Sequence, residues 1–268
     1  MKPASSAAQP APGPAPCAPA FRVAVTRDEP ADGELARALR ARGLEPVPCP
    51  AVATAGSPEP ERLRDAACNL ERYDWLVVAS GRGLDALVEA RDGRPLPASL
   101  RCAAVGARTA ARLAGHGART PLTAERAGAA ALIEALAAHG PWGGRRCLVP
   151  RALEGDGEIG AALRRMGAAV DEISAYRTVE RPAAEIAEAW GPARADAVVI
   201  TSPSAARALV SAIGRDALER LALRVAIGDT TRDALIRLGL DAQVAARADF
   251  ESVAEMVASL VSTRRGHP

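Results

Sequence analysis

The sequence predicts an α/β protein of two similar lobes with parallel sheets, and three observations lead there. Short β-branched runs alternate with helix-length segments, the pattern of parallel strands joined by helical crossovers. The chain also repeats itself in two ungapped registers. A shift of 124 residues lays Arg22 on Arg146, Arg27 on Arg151, Leu39 on Leu163 and Gly43 on Gly167. A shift of 122 lays Val77 on Val199, Ser80 on Ser202, Gly106 on Gly228, Thr109 on Thr231 and Gly117 on Gly239. Finally, the run Ala197-Val198-Val199-Ile200 reads as a strand buried on both faces. It ends in Thr201 and Ser202, with Pro203 placed for the first turn of a helix. Hydroxyls and free N–H groups at such a junction favour anionic ligands.

Each element has its own signal. Residues 1–19 are rich in Ala and Pro, lack an apolar core and read as a disordered tail, not a signal peptide. Residues 21–27 form a strand with a polar tip, and Leu35, Ala36, Ala38 and Leu39 mark a helix stopped by Gly43. The prolines of Pro46-Val47-Pro48-Cys49-Pro50 forbid a central strand and suit an inter-domain connection. A helix over 61–70 leads to the strand 75–79, the turn Ser80-Gly81-Arg82-Gly83 and a helix through Leu87 and Val88. Strand 102–105 runs into Gly106-Ala107-Arg108-Thr109, with a helix ending near 115–117 and an alanine-rich helix over about 127–138. Strand 147–151 and a helix ending at Gly167 follow, then a second extended connection over 170–179. Strand 224–227, the turn Gly228-Asp229-Thr230-Thr231, a helix to Gly239 and a last helix over about 252–261 complete the chain.

The two registers give the order A-B-A′-B′, with extended stretches between A and B and between A′ and B′. The contiguous B-A′ pair then makes one lobe, and the first strand and helix join B′ in the other. Lobe 1 is expected to hold 20–46 plus 180–262, and lobe 2 to hold 47–179 with the connector strands. Residues 263–268 are a C-terminal tail. Tandem A-B and A′-B′ domains with a break near 140 are the alternative.

Composition excludes several classes. Thirty-four basic against 32 acidic residues leave a net charge of +2, too even for a nucleic-acid binder driven by bulk charge. The five cysteines are scattered without a CxxC pair, which favours a reducing cytoplasm over a disulfide framework. Cys49, Cys102 and Cys147 read as small core residues. Three histidines without HExxH spacing give no metal site. No window approaches the ~18 apolar residues of a membrane span. GxGxxG after a strand and the P-loop signature are both missing.

The repeated tips belong at the carboxyl edge of a parallel sheet, where open α/β folds bind ligands. They collect Arg27 and Arg151, Ser80 and Ser202, Thr109, Thr230 and Thr231. Facing lobes would make a cleft suited to a substrate bearing many carboxylates. Singly, each residue has a plainer role as a helix cap, a turn residue or half of a surface ion pair. Tyr176, one of two tyrosines, lies in the second connection. It either packs a hinge or donates a proton to a leaving hydroxyl.

These residues resemble uroporphyrinogen-III synthases. The likeness runs through 199–206, 226–231, Ala175-Tyr176-Arg177-Thr178 and the Arg27…Gly33…Leu39…Gly43 pattern, and covers roughly 21–262. It implies two flavodoxin-like lobes joined by a two-stranded connector, one lobe being built from both chain ends. It implies that hydroxymethylbilane is cyclised to uroporphyrinogen III with inversion of ring D, loss of water and no cofactor. Tyr176 matches the tyrosine proposed to assist departure of the hydroxyl. Ser80, Thr109, Ser202 and Thr231 match positions that line the cleft. The family often has Ser-Pro where this chain has Ser80-Gly81, so a looser turn is expected there. A cytoplasmic monomer is expected, with hydroxymethylbilane synthase, the preceding enzyme, as candidate partner and no nucleic acid or membrane. A non-catalytic tetrapyrrole-binding or regulatory domain of the same fold is the alternative. A periplasmic-type solute receptor is a weaker one, lacking a signal peptide.

Overall fold

The computed structural model describes residues 20–124, 126 and 128–265. The Ala/Pro tail, residue 127 at the expected helix start and residues 266–268 lie outside the described residues. The chain divides into two compact units, one of 1–51 with 181–268 and one of 52–180. It begins unit 1 with β1 (Arg22–Val25), α1 (Glu34–Arg40) and β2 (Glu45–Pro48). Unit 2 follows with β3 (Val52–Gly56), α2 (Pro60–Cys68), β4 (Trp75–Val78), α3 (Gly81–Ala90), β5 (Arg101–Ala104) and α4 (Ala107–Gly115). It continues through β6 (Leu122–Thr123), α5 (Ala129–His139), β7 (Arg146–Ala152), α6 (Glu158–Arg165) and β8 (Ala169–Glu180). Unit 1 resumes with α7 (Ala183–Ala193), β9 (Ala197–Ile200), α8 (Pro203–Ile213), α9 (Arg215–Glu219), β10 (Leu223–Ala226), α10 (Asp229–Arg237), β11 (Gln243–Val244) and α11 (Phe250–Arg265).

Unit 1 is a parallel sheet in the order β2-β1-β9-β10-β11. Taken along the unit's own chain, this is the doubly wound order 2-1-3-4-5. Unit 2 has the order β3-β8-β7-β4-β5-β6. Matching β7 to β1 and β4 to β9, as the sequence repeat does, recovers the same spatial order from a permuted chain. Unit 2 adds β3, which runs antiparallel to β8 from Val52↔Glu180 to Gly56↔Tyr176. That ladder holds side by side the two strands next to the chain's crossings between units.

Alternation along the central strands fills both faces of each sheet. In unit 2, Leu76 and Val78 join Leu63, Leu84, Leu87, Leu113 and Ile173 in one buried cluster. Trp75 and Val77 join Leu132, Leu136, Val149, Ile159 and Leu163 in another. In unit 1, Val23, Val25, Val199 and Val225 pack with Leu35, Leu39, Val253 and Val257 of α1 and α11. The intervening Ala24, Val198 and Ile200 are equally buried.

The repeat is visible in backbone geometry. Gly43 and Gly167 both stop helices at positive φ (+73° and +96°), as do Gly117 and Gly239 (+98° and +79°). A residue with a Cβ is strained in that region.

Four expectations need correction. The stretch 46–50 is no connector, because β2 is an edge strand of unit 1. The Glu45 and Cys49 N–H groups donate to Phe21 and Val25 carbonyls, while Pro46 and Pro48 take the intervening outward positions, where no donor is required. The first crossing therefore falls at 51/52, not 46/47. The stretch 170–179 is the body of a 12-residue strand that pairs with β7 before it pairs with β3. The last helix continues through Arg265, three residues into the expected tail.

Candidate functional site

In each unit the helices after the central strands start at the carboxyl edge of the sheet. Ser202 caps α8 with its Oγ accepting from the Ala205 N–H at 3.1 Å, and Ser80 caps α3 by accepting from Gly83 at 3.2 Å. Ser80 and Ser202 have nearly the same φ, −153° and −163°. The Gly81 turn is thus no looser than the Pro203 turn, because the cap and not the ring sets the helix start. Gly106 and Gly228 cap α4 and α10 in extended conformations. Four helix N-termini, each with unsatisfied N–H groups and positive dipole ends, therefore lie along these edges.

The structure brings two of the sequence-derived candidates into direct contact. Ser80 Oγ lies 3.1 Å from the phenol oxygen of Tyr176, and either hydroxyl can donate. They are 96 residues apart, the strand β8 being carried back beside β7 and so close to the end of β4. A register shift opposite Arg151 and Ala152 leaves Ala175 as an extra residue: Arg151 pairs with Ser174, and Ala152 with Tyr176. Such a bulge re-aims the side chain after it. Tyr176 is partly buried against the Leu63–Ile173 cluster, which fixes its ring while the hydroxyl reaches Ser80.

Several unforeseen residues hold this group. Gly83 sits where an added Cβ would lie 2.9 Å from the Pro150 carbonyl oxygen, so α3 can approach β7 only through a glycine. The Glu154 carboxylate accepts from the Thr178 N–H at 3.1 Å and ties the loop after β7 to β8 two residues past Tyr176. Ser57 Oγ donates to the Ser174 carbonyl at 2.6 Å. The Glu59 carboxyl is held below the usual range by its Arg62 partner, with help from the Ser174 N–H. No sequence signal marks Glu154 or Glu59, since a single carboxylate beside a turn is ordinary.

The remaining candidates make contacts of their own. Arg151 is engaged by its own loop: Nε is 2.7 Å from Glu172, and Nη1 donates to the carbonyls of Ala152, Leu153 and Gly155. Glu172 also meets Arg164 at 3.0 Å. In unit 1, Arg27 pairs with Glu29 at 3.3 Å and lies 4.2 Å from the Phe250 ring centroid. Ser202 meets Ser204 at 3.0 Å. Thr109 is half-buried in the first turn of α4; in α10, Thr230 is exposed and Thr231 only 3% exposed.

Burial pushes the Cys49 thiol up to about 11, Cys102 to about 12 and Cys147 to about 11, which fits core residues and not nucleophiles. Among the described residues no cluster of His, Cys, Asp and Glu is arranged to hold a metal ion, and no helix is long and apolar enough to cross a membrane.

Known proteins share this architecture. A crystal structure of a mutant uroporphyrinogen III synthase from the extremely thermophilic bacterium Thermus thermophilus covers 91% of this chain and 100% of its own, at TM-score 0.52 and 20% identity. The uroporphyrinogen-III synthetase of Helicobacter pylori 26695 covers 90% and 99%, at 0.59 and 15%. At these identities the likeness concerns the fold. The porphyrin biosynthesis protein HemD of Ruminiclostridium josui is 24% identical over 238 residues, 87% of this chain. The chain spans about half the length of that relative, 47%. The family model HEM4, described as uroporphyrinogen-III synthase HemD, matches residues 33–255. With most of its length matched, including Ser80, Tyr176 and Ser202, the chain belongs to the uroporphyrinogen-III synthase family.

Proposed function

We propose that this chain cyclises hydroxymethylbilane to uroporphyrinogen III, inverting ring D and releasing water. The Ser80–Tyr176 pair, at the strand ends of a member of this family, carries the reading. Ser80 Oγ already accepts from Gly83, so it can give its own proton to the phenol oxygen and leave the Tyr176 O–H for the substrate. The phenol protonates the departing hydroxyl, which leaves as water with the electrons of the broken C–O bond. The pyrrole nitrogen stabilises the carbon cation so formed. The cation first bonds to the ring D carbon that already carries the link to ring C. That link then breaks, its methylene carbon becoming a cation stabilised by the ring C nitrogen. This methylene rebonds to the free α carbon of ring D, whose expelled proton returns to Tyr176, so that ring D is inverted and the step balances. No cofactor enters this chemistry.

Holding a flexible chain with its ends together is the larger task. The substrate's acetate and propionate groups take hydrogen bonds from Thr109 in unit 2 and from Ser202, Thr230 and Thr231 in unit 1, while Ser80 is engaged with Tyr176. The four helix N-termini add N–H donors. Arg27 and Arg151 contribute positive charge and shape their loops. We also infer a cytoplasmic monomer supplied by hydroxymethylbilane synthase. Scattered cysteines support the compartment. The monomer is supported by the large hydrophobic side chains exposed among the described residues being just Leu153 and Ile236.

The test is the product isomer. The chain incubated with hydroxymethylbilane is expected to yield type III. Saturable binding with only the spontaneous type I product would return it to the non-catalytic reading.

A further inference from the structure

At the opposite, amino-terminal edge of unit 2's sheet lies an open cavity of about 650 Å³. It is bounded by the starts of β4, β5 and β6 and the end of α5, and is lined by Trp75, Arg101, Arg119, Thr120, Thr123 and His139 among others. Among the described residues no acidic one lines it. Among the described residues no carboxylate pairs with Arg101 or Arg119; the Arg101 guanidinium instead lies 5.8 Å from the Trp75 ring centroid. The nearest acid in sequence, Asp74, feels the charge of Arg101 but is bound by Arg145 at 3.0 Å and by the Arg146 N–H at 2.9 Å. His139 packs edge-on against Trp75 at 5.1 Å, its imidazole beside the same cavity. Thr120 holds φ at +38°, a strained conformation for a β-branched residue, in the segment that carries Arg119 into the lining.

The other unit shows that the fold does not require these groups. The paired positions Trp75↔Arg101 correspond to Ala197↔Leu223, both buried and apolar. Beside Leu223, Arg224 has its guanidinium taken by the carbonyls of Leu218, Glu219, Leu221 and Asp241. Unit 1 has buried apolar residues at the positions of Trp75 and Arg101, whereas unit 2 places two arginines beside a cavity of ligand size.

We propose that this cavity is a second site, separate from the Ser80–Tyr176 group, for a small organic or inorganic polyanion. Two guanidinium forks suit either a carboxylate pair or a phosphate group, with the Trp75–His139 rings forming the wall behind them.

Calorimetric titration of the full chain with citrate and, separately, with pyrophosphate tests this and distinguishes the two chemistries. Saturable one-to-one binding of either is expected. Arg101→Gln and Arg119→Gln should each weaken it about tenfold, the scale of one lost charge-assisted hydrogen bond. Arg237→Gln, an exposed arginine in unit 1, should leave it unchanged. Binding of citrate alone assigns a carboxylate ligand and binding of pyrophosphate alone a phosphate. The proposal is overturned if neither anion saturates, or if both Arg variants bind like wild type. Neither readout depends on turnover, so failure here leaves the synthase reading standing.

Discussion

Ser80 and Ser202 offer an internal control for what the Tyr176 contact does. Both cap a helix of similar length, with Oγ accepting at 3.2 and 3.1 Å. Replacing an N-cap serine by alanine costs about 1 kcal/mol. Ser80→Ala and Ser202→Ala should therefore lower stability by similar amounts, a fall in Tm of roughly 2–4 °C for units of this size. Their kinetics should differ. Ser80→Ala also removes the 3.1 Å partner of the phenol. A hydrogen bond worth about 1.4 kcal/mol in the transition state converts to about a tenfold loss of kcat. Ser202→Ala removes from unit 1 a hydroxyl proposed to donate to substrate carboxylates, and should raise KM with little change in kcat. Ser80→Thr, which keeps both the cap and the hydroxyl, should recover most of the lost rate. Thermal melts and steady-state kinetics on the three variants suffice. Matched stability losses with an unchanged kcat for Ser80→Ala would refute the positioning role and leave Ser80 as a cap only.

Other expectations follow from the same geometry. Gly83→Ala places a Cβ 2.9 Å from the Pro150 carbonyl and should destabilise unit 2 by about 1–3 kcal/mol, read by denaturant unfolding. Burial, then the Asp171 hydrogen bond at 2.8 Å, pushes the Tyr73 phenol up to about 12. Its folded value lies above the unfolded ~10, so this contribution is complete below pH ~10 and is lost as pH rises toward 12. Tyr73→Phe should flatten the alkaline limb of a stability–pH curve. In thiol titration of the native chain, the half-buried Cys68 should react well before Cys49, Cys102 and Cys147, which should respond only on unfolding.

Local signals carried much of this structure. Val77 and Val199 announced buried strands, Ser80 and Ser202 announced caps, and Gly43 with Gly167 marked helix ends at matching positive φ. The sequence misled where a local rule had a second solution. Prolines at 46 and 48 exclude a central strand, yet on alternate outward positions they permit an edge one. Strands β6 and β11, two residues each, are too short to show a period. Helix α7 starts after Pro182 without a capping side chain and carries Pro192 near its end, so neither boundary was marked. The Ser80–Tyr176 contact depends on strand order and on a bulge at Ala175, neither of which a single sequence encodes visibly. The commitment of Arg151 to its own loop carbonyls was equally hidden, because backbone acceptors leave no mark in a residue pattern.

The most direct measurement is the isomer ratio from hydroxymethylbilane with wild type and Tyr176→Phe in parallel, both shown folded by circular dichroism. The account predicts predominantly uroporphyrinogen III from wild type. It predicts a type III rate for Tyr176→Phe lower by about 10²-fold or more, the scale of a lost general acid. Type I alone from wild type, or an undiminished type III rate from the phenylalanine variant, would contradict it.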